Sequence, residues 1–183
     1  MRNFPQAAFS QFFALDNFQK KLYTVTVMEI LAFEEQDYTA LRAFMQPLWQ
    51  ETYQPILPLE QIDYLVEHYF APEAIEHFRK LGYEYFKLCE NEQTVGVLVF
   101  LERESYVFMD KLYLLPSARG KDYPAQAFAF MHTRKDTIRL NVNQANERAV
   151  RCYQKNGFEI ILREQIQLGN GMVNHDYIMQ KKV

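Results

Sequence analysis

The run Arg119-Gly120-Lys121-Asp122-Tyr123-Pro124-Ala125-Gln126 joins a strand-like segment, DKLYLLP, to a short apolar one, AFAFM. A strand, a basic loop and a helix form a common cradle for phosphate. The first turn of a helix leaves N–H groups without partners, and its dipole favours an anion. Arg119 and Lys121 supply two cations. Asp122 and Pro124 stand where such a cradle ordinarily has glycines, which bring backbone close to the ligand. Asp122 turns a negative charge toward the phosphate, and Pro124 has no N–H to donate. One lost bond to a charged group costs about 1.5–3 kcal/mol, a roughly 10- to 100-fold weaker complex. Against this, Pro124 suits a helix first turn, and Arg119 and Lys121 offer side-chain bonds in place of backbone ones.

Other reactive residue types form no constellation. His68, His77, His132 and His175 fall in different segments without metal-binding spacing. The triplet His175-Asp176-Tyr177 has no nucleophile motif beside it. Cys89 and Cys152 make neither a disulfide framework nor a zinc pattern, and read as small buried hydrophobes. No metal is expected.

The elements that must position the loop read as α/β. TVTVMEILAF (24–33) has strand composition. From Asp37, Tyr38, Leu41, Met45, Leu48 and Trp49 recur at helical spacing, with Pro47 expected to bend the helix or remove one bond. A second helix carries Ile62, Leu65, Val66 and Tyr69, and a third opens at Pro72 and stops at Gly82. YEYFKLCE and TVGVLVFLE flank Asn91-Glu92-Gln93 as a hairpin. Strands at 106–115 and 137–143 enclose the loop and its short helix. A helix capped by Asn146 and ended by Gly157 follows, then a hairpin around Gly169-Asn170-Gly171. The order is β-α-α-α-β-β-β-α-β-α-β-β, a mixed sheet. Residues 28–183 form the expected domain. Residues 1–27, with a short amphipathic helix expected in 1–22, form an extension without assigned function.

The chain has 183 residues, 49% of them hydrophobic and 23% charged, ample for a core and unlike a disordered chain. No apolar run reaches the ~20 residues of a membrane span, and no secretory signal is legible; a cytoplasmic location is expected. The net charge is −3, without the basic-aromatic face that nucleic acid requires. Charge is unevenly divided. Residues 28–100 hold 13 acidic and 4 basic side chains, residues 101–183 hold 9 and 13. Such a chain either binds a cation with one half and an anion with the other, or simply has two solvated faces of opposite bias.

DKLYLLPSARGK and IRLNVNQANERAVRCYQKNGFEI resemble the GNAT superfamily of N-acetyltransferases. Asn146, Ala149, Tyr153 and Gly157-Phe158 follow that family's N-x-x-A-x-x-x-Y-x-x-x-G-F pattern. The ending GNGMVNHDYIMQKKV also fits, and LWQETY (48–53) is similar to a bacterial polyamine-acetyltransferase-like branch. In the family's loop, Q/R-x-x-G-x-G/A, Arg119 matches the first position, while Asp122 and Pro124 depart from the fourth and sixth.

The resemblance implies a mostly antiparallel sheet whose two central strands, here 106–115 and 137–143, splay apart to hold acetyl-CoA as cosubstrate. The pantetheine arm would bond the strand edge near Leu112 and Leu114. The pyrophosphate would sit on Arg119, Gly120, Lys121, Asp122, Tyr123 and Pro124. Asn146, Ala149 and Tyr153 would complete the cofactor site, with Asn146 bonding the arm, capping its helix, or both. Tyr153 falls on the family's proton-donating tyrosine, and a tyrosine packed on the helix's apolar face is its plainer reading. The amine must be neutral to attack, yet a lysine-like ammonium has a pKa of about 10.4, so a base is required. Glu51, Asp110, Glu102 and Glu104 are candidates, with Glu51 or Asp110 preferred; an ion-pairing surface role is the alternative for each. The expected acceptor is a small, cationic primary amine, and a homodimer is one expected assembly. The second reading is a GNAT-fold binding protein that has lost catalysis through its altered loop.

Overall fold

The computed structural model describes residues 28–169 and 172–182. The expected helix in 1–22, the first residues of the expected strand 24–33 and the tip of the last hairpin lie outside the described residues. The described elements follow the expected order. They are β1 (Glu29–Ala32), α1 (Tyr38–Tyr53), α2 (Leu59–Phe70), α3 (Pro72–Lys80), β2 (Tyr83–Glu90), β3 (Gln93–Glu102) and β4 (Val107–Leu114), then α4 (Tyr123–His132), β5 (Thr137–Asn143), α5 (Glu147–Lys155), β6 (Glu159–Gly169) and β7 (Met172–Lys182).

The seven strands form one sheet in the order β1-β2-β3-β4-β5-β7-β6. Every neighbouring pair is antiparallel except β4 and β5. The β2–β3 hairpin closes through Asn91 and Glu92, both at positive φ, between the paired residues Glu90 and Gln93. Two residues in that conformation match the right-handed twist of the flanking strands. β3 lies at the heart of the sheet, with Val95 through Leu101 buried, so it shows the continuous apolar run of a strand covered on both faces. Gly96 is required there. A Cβ at this position would stand 2.6 Å from the Tyr113 carbonyl oxygen and 2.7 Å from Leu114 Cδ2, closer than real contacts allow.

The core has two layers. On one face α4 and α5 lay Phe128, Met131 and Tyr153 against Ile138, Leu140 and Met179 of the sheet. On the other, α1, α2 and α3 bring Leu41, Trp49, Ile62, Phe70 and Ile75 onto Tyr85, Val97 and Val99. Pro47 does not break α1. The helix runs through it, and the carbonyl left without its i+4 donor belongs to Ala43, which is exposed with Pro47. Water can serve that group, so the lost bond costs little.

The feature that positions the site is the parting of β4 from β5. The pair is parallel only over Val107–Met109 with Ile138–Leu140. At Asp110 the β3–β4 register shifts, because Phe100 opposes Met109 while Val99 opposes Lys111. Asp110 is the extra residue of a bulge, and bulges bend a strand and increase its twist. Beyond it, Lys111–Leu114 have no pairing with Asn141–Asn143, and the sheet opens.

Candidate functional site

A cavity of about 420 Å³ fills this opening. The β4 wall contributes Asp110 through Leu114, and the β5 wall Asn141, Val142 and Asn143. Asn146, Ala149, Cys152 and Tyr153 of α5, and Arg119, Gly120 and Pro124 of the loop, close one side. Trp49, Thr52, Tyr53, Leu65 and Tyr69 of α1 and α2 close the other, together with Asp176 of β7. The expected residues Leu112, Leu114, Arg119, Gly120, Pro124, Asn146, Ala149, Tyr153 and Asp110 thus meet at one cavity. Lys121, Asp122 and Tyr123 belong to the same loop but do not line it, and Tyr123 is buried in the core.

Each of these side chains is held by local structure. Asn146 caps α5, its Oδ1 accepting from the Ala149 N–H at 3.2 Å. That bond satisfies one of the donors a helix start leaves open. Tyr153 is 8% exposed and packs against Phe128 and Phe158. Burial pushes its pKa up, so the phenol keeps its proton and can donate a hydrogen bond into the cavity. Cys152 is half-buried, and desolvation likewise raises its thiol pKa, which leaves it a weak nucleophile.

The loop backbone explains part of the departure in sequence. Gly120 carries the left-handed conformation, at φ +78°. Asp122 is the N-cap of α4 at φ −79°, a value any residue adopts, so no glycine is needed there for conformation. Pro124 is the second residue of α4, a favourable place for its fixed φ. The Tyr123 and Ala125 N–H groups remain among those a helix start leaves without intrahelical partners.

The loop's cations are engaged. Arg119 grips Glu51 with both terminal nitrogens, at 2.8 and 2.5 Å, and its Nε donates to the Leu114 carbonyl at 3.2 Å. Arg148 adds a second guanidinium to Glu51 at 3.2 Å. Lys121 donates to both oxygens of Glu90, at 2.5 and 2.7 Å. Arg134 reaches Glu84 at 3.4 Å. Three acids of the first half, Glu51, Glu84 and Glu90, thus pair with bases of the second, while the other ion pairs among the described residues lie within one half. The Arg119 bonds hold the Glu51 carboxyl down to about 2, and a carboxylate held so low is a weak base. Glu102 pairs with Lys135 and Arg134, and Glu104 is exposed in the β3–β4 turn. Neither lines the cavity.

The α1–α2 side is aromatic. The Trp49 ring lies 5.1 Å from Tyr53, 6.0 Å from Tyr69 and 5.9 Å from Tyr113. Tyr53 and Tyr113 share a hydroxyl–hydroxyl bond at 2.9 Å, and burial pushes both phenols up. Lys111 is 7% exposed, pairs with Asp110, and holds its ammonium 4.3 Å above the Tyr69 ring. Asp176 is also 7% exposed, and desolvation raises its carboxyl pKa. Sequence reasoning passed over Asp176, Tyr113 and Tyr69 as site residues. The register of β7 against β5, which sets Asp176 opposite Asn143, is the signal that places the acid at the cavity, and no local pattern carries it. Among the described residues, no three His, Cys, Asp or Glu side chains converge as metal ligands. None of their helices is long and apolar enough to cross a membrane.

The family model of the acetyltransferase (GNAT) domain matches residues 54–181. The chain belongs to the GNAT acetyltransferase family. Solved structures share its fold. The PaiA N-acetyltransferase of Thermoplasma acidophilum, in complex with coenzyme A, is 21% identical at a TM-score of 0.68, covering 86% of this chain and 99% of that one. Apo-form YjaB of Escherichia coli is 22% identical at 0.65, covering 86% and 98%. The spermidine N-acetyltransferase of Vibrio cholerae, in complex with CoA and spermine, is 19% identical at 0.58, covering 85% and 95%. No curated protein matches the chain. At these identities the likeness speaks for the fold. The parted β4 and β5 of this GNAT chain are the expected splayed strands.

Proposed function

We propose that the chain transfers an acetyl group from acetyl-CoA to the primary amine of a small, cationic acceptor. The observation that carries this reading is the cavity in the β4–β5 opening. A helix N-terminus and an α5 tyrosine lie on one side of it, and an aromatic, carboxylate-bearing wall on the other. Acetyl-CoA supplies the acetyl group as a thioester. Arg119, Gly120 and the start of α4 are proposed to receive the pyrophosphate, with the edge of β4 at Leu112 and Leu114 and the Asn146–Ala149 turn along the arm. For Arg119 this means exchanging Glu51 for phosphate.

The reaction needs position, a base and a donor. Holding amine and thioester together accounts for much of such a rate. Asp110 is proposed as the base, since it lines the cavity and Glu51 does not; Asp110 is paired with Lys111, so taking the amine's proton means exchanging that partner. Tyr153 is proposed to donate toward the departing sulfur. Its raised pKa favours hydrogen-bond stabilisation of the developing charge over early proton transfer.

The engaged state of Arg119 and Lys121, with Asp122 and Pro124 beside them, favours the second reading of a GNAT-fold binding protein without catalysis. One assay separates the two. The full chain is incubated with acetyl-CoA and a panel of primary amines, following thiol release and product mass. The proposal expects release that depends on the amine and a product heavier by one acetyl group. Amine-independent background alone sinks it.

A further inference from the structure

β5 carries two asparagines, Asn141 and Asn143, on the face opposite its buried Ile138, Leu140 and Val142. Asparagine is a poor strand former, so each needs a reason to be there. Asn143 has one. Its Oδ1 accepts from the Ala145 N–H at 2.9 Å and shapes the turn into α5. Asn141 has no such duty. Its side chain makes no hydrogen bond among the described residues, yet neither of its amide atoms is closed off from solvent. The residue is half-buried and lines the cavity. One acceptor and two donors are therefore open to a ligand.

Its place in the fork is specific. The last paired residues of the two parallel strands are Met109 and Leu140. The next residue on β4 is Asp110 and the next on β5 is Asn141, so the carboxylate proposed as the base and the unpaired amide flank the point where the strands part. The two side chains have the same length. A neutral primary amine that attacks a carbonyl carbon has two N–H groups and one lone pair at tetrahedral angles. Two hydrogen bonds of about 2.9 Å diverging from one nitrogen end about 4.7 Å apart, close to the ~4.8 Å between neighbouring strands. One acceptor on each side of the fork thus matches a primary nitrogen. Asp110 is paired with Lys111, and the amine exchanges with it.

We propose that Asn141 Oδ1 accepts one N–H of the attacking amine while Asp110 accepts the other, which leaves the lone pair aimed at the thioester carbon and makes Asn141 the residue that selects primary over secondary amines. In the step, the nitrogen–carbon bond forms and Asp110 takes one proton from the nitrogen. The carbon–sulfur bond breaks, and its electron pair leaves with the sulfur, to which Tyr153 donates. The N–H on Asn141 stays in the product amide. A secondary amine has a single N–H, so its added alkyl group meets Asn141 and leaves that amide unpaired. This rests on the acetyltransferase reading with Asp110 as base, and assigns the choice of amine class within it to one side chain.

The test measures kcat/KM for 1,4-diaminobutane and for its N,N′-dimethyl derivative, with acetyl-CoA and the full chain. Where the amine panel finds a better primary acceptor, that amine and its N-methyl form are compared in the same way. The parent is expected to favour the primary amine roughly 10-fold or more, the size of one well-placed bond to an otherwise unpaired group. Asn141→Leu keeps the shape and removes both polar atoms. It is expected to lower the primary amine's kcat/KM about 10-fold, to leave the secondary amine's within about two-fold, and so to bring the ratio toward one. Asn141→Asp, which accepts but cannot donate, is expected to keep the parent's ratio. Because each ratio is read within one protein, partial unfolding does not distort it, and Asn141→Val serves if Asn141→Leu does not fold. A parent ratio near one, a ratio unchanged in Asn141→Leu, or a ratio lost in Asn141→Asp would overturn the inference alone. No amine-dependent acetylation by the parent would overturn the acetyltransferase reading, and the inference with it.

Discussion

The two sides of the cavity differ in how far their polar groups are satisfied. On the loop side, Arg119 and Arg148 are closed onto Glu51 and Lys121 onto Glu90. On the aromatic side, the buried Asp176 Oδ1 and Trp49 Nε1 atoms have no protein partner among the described residues. A ligand on the loop side must compete with ion pairs already made. In the proposed reading, an anion on the loop side binds by an exchange of partners.

The comparison can be broken from either side. The largest expected effect is on chemistry. Tyr153→Phe removes the one phenol on α5 that lines the cavity, and is expected to lower kcat about 100-fold, in the range of a lost proton donor, while acetyl-CoA affinity by calorimetry stays within about two-fold. An unchanged kcat would make Tyr153 a packing residue.

Next comes the partner exchange. Glu51→Gln frees Arg119 and Arg148, and is expected to tighten acetyl-CoA binding about 10-fold, roughly one charge-assisted bond, with kcat retained. If Glu51 were the base, kcat would collapse instead.

Stability against pH gives two smaller effects of opposite sign. Asp176 has a raised pKa in the fold, so the folded state holds the proton longer than the unfolded one. Its contribution to stability falls as pH rises from about 3.9, the ordinary Asp value, through the raised value. Asp176→Asn is expected to raise the ligand-free melting temperature at pH 7 by about 2–4 °C for each kcal/mol relieved, with no difference near pH 3. Glu51 behaves in the reverse way. Its pKa is lowered from 4.5 to about 2, so its stabilisation is present above 4.5 and lost as pH falls toward 2. Because the side chain is 42% exposed, solvent screening limits it to about 1 kcal/mol or less. Glu51→Gln is therefore expected to melt at most about 2–4 °C lower at pH 7, converging with the parent near pH 2. Melting curves in which both variants move the same way at neutral pH would contradict the contrast.

The same division runs through what the sequence made legible. Asn146, Ala149 and Tyr153 sit on one helix at fixed spacing, and the loop from Arg119 to Pro124 is continuous, so the α5–loop side could be read from local pattern. The element order followed from periodicity, and the β4–β5 opening from the family resemblance that the motif carries. The aromatic side is assembled by tertiary contacts. Trp49 and Tyr53 come from α1, Tyr69 from α2, Tyr113 from β4 and Asp176 from β7, and no sequence spacing relates the four elements. The ion pairs escaped for the same reason. Arg119 and Glu51 are 68 positions apart, so the chain could show an imbalance of charge without showing which of its charges pair. The fourth loop position was misleading in a simpler way. Its backbone angle is ordinary here, and the left-handed turn falls on Gly120 instead.

The central claim is that this cleft is an acetyl-CoA site whose loop still accepts a pyrophosphate, weakened by Asp122 and Pro124. Calorimetric titration of acetyl-CoA into the parent chain and into Asp122→Gly/Pro124→Gly measures it directly. Saturable binding by the parent, roughly 10- to 100-fold tighter in the double variant, is the predicted result. No binding by either protein at millimolar acetyl-CoA, or equal binding by both, would contradict it.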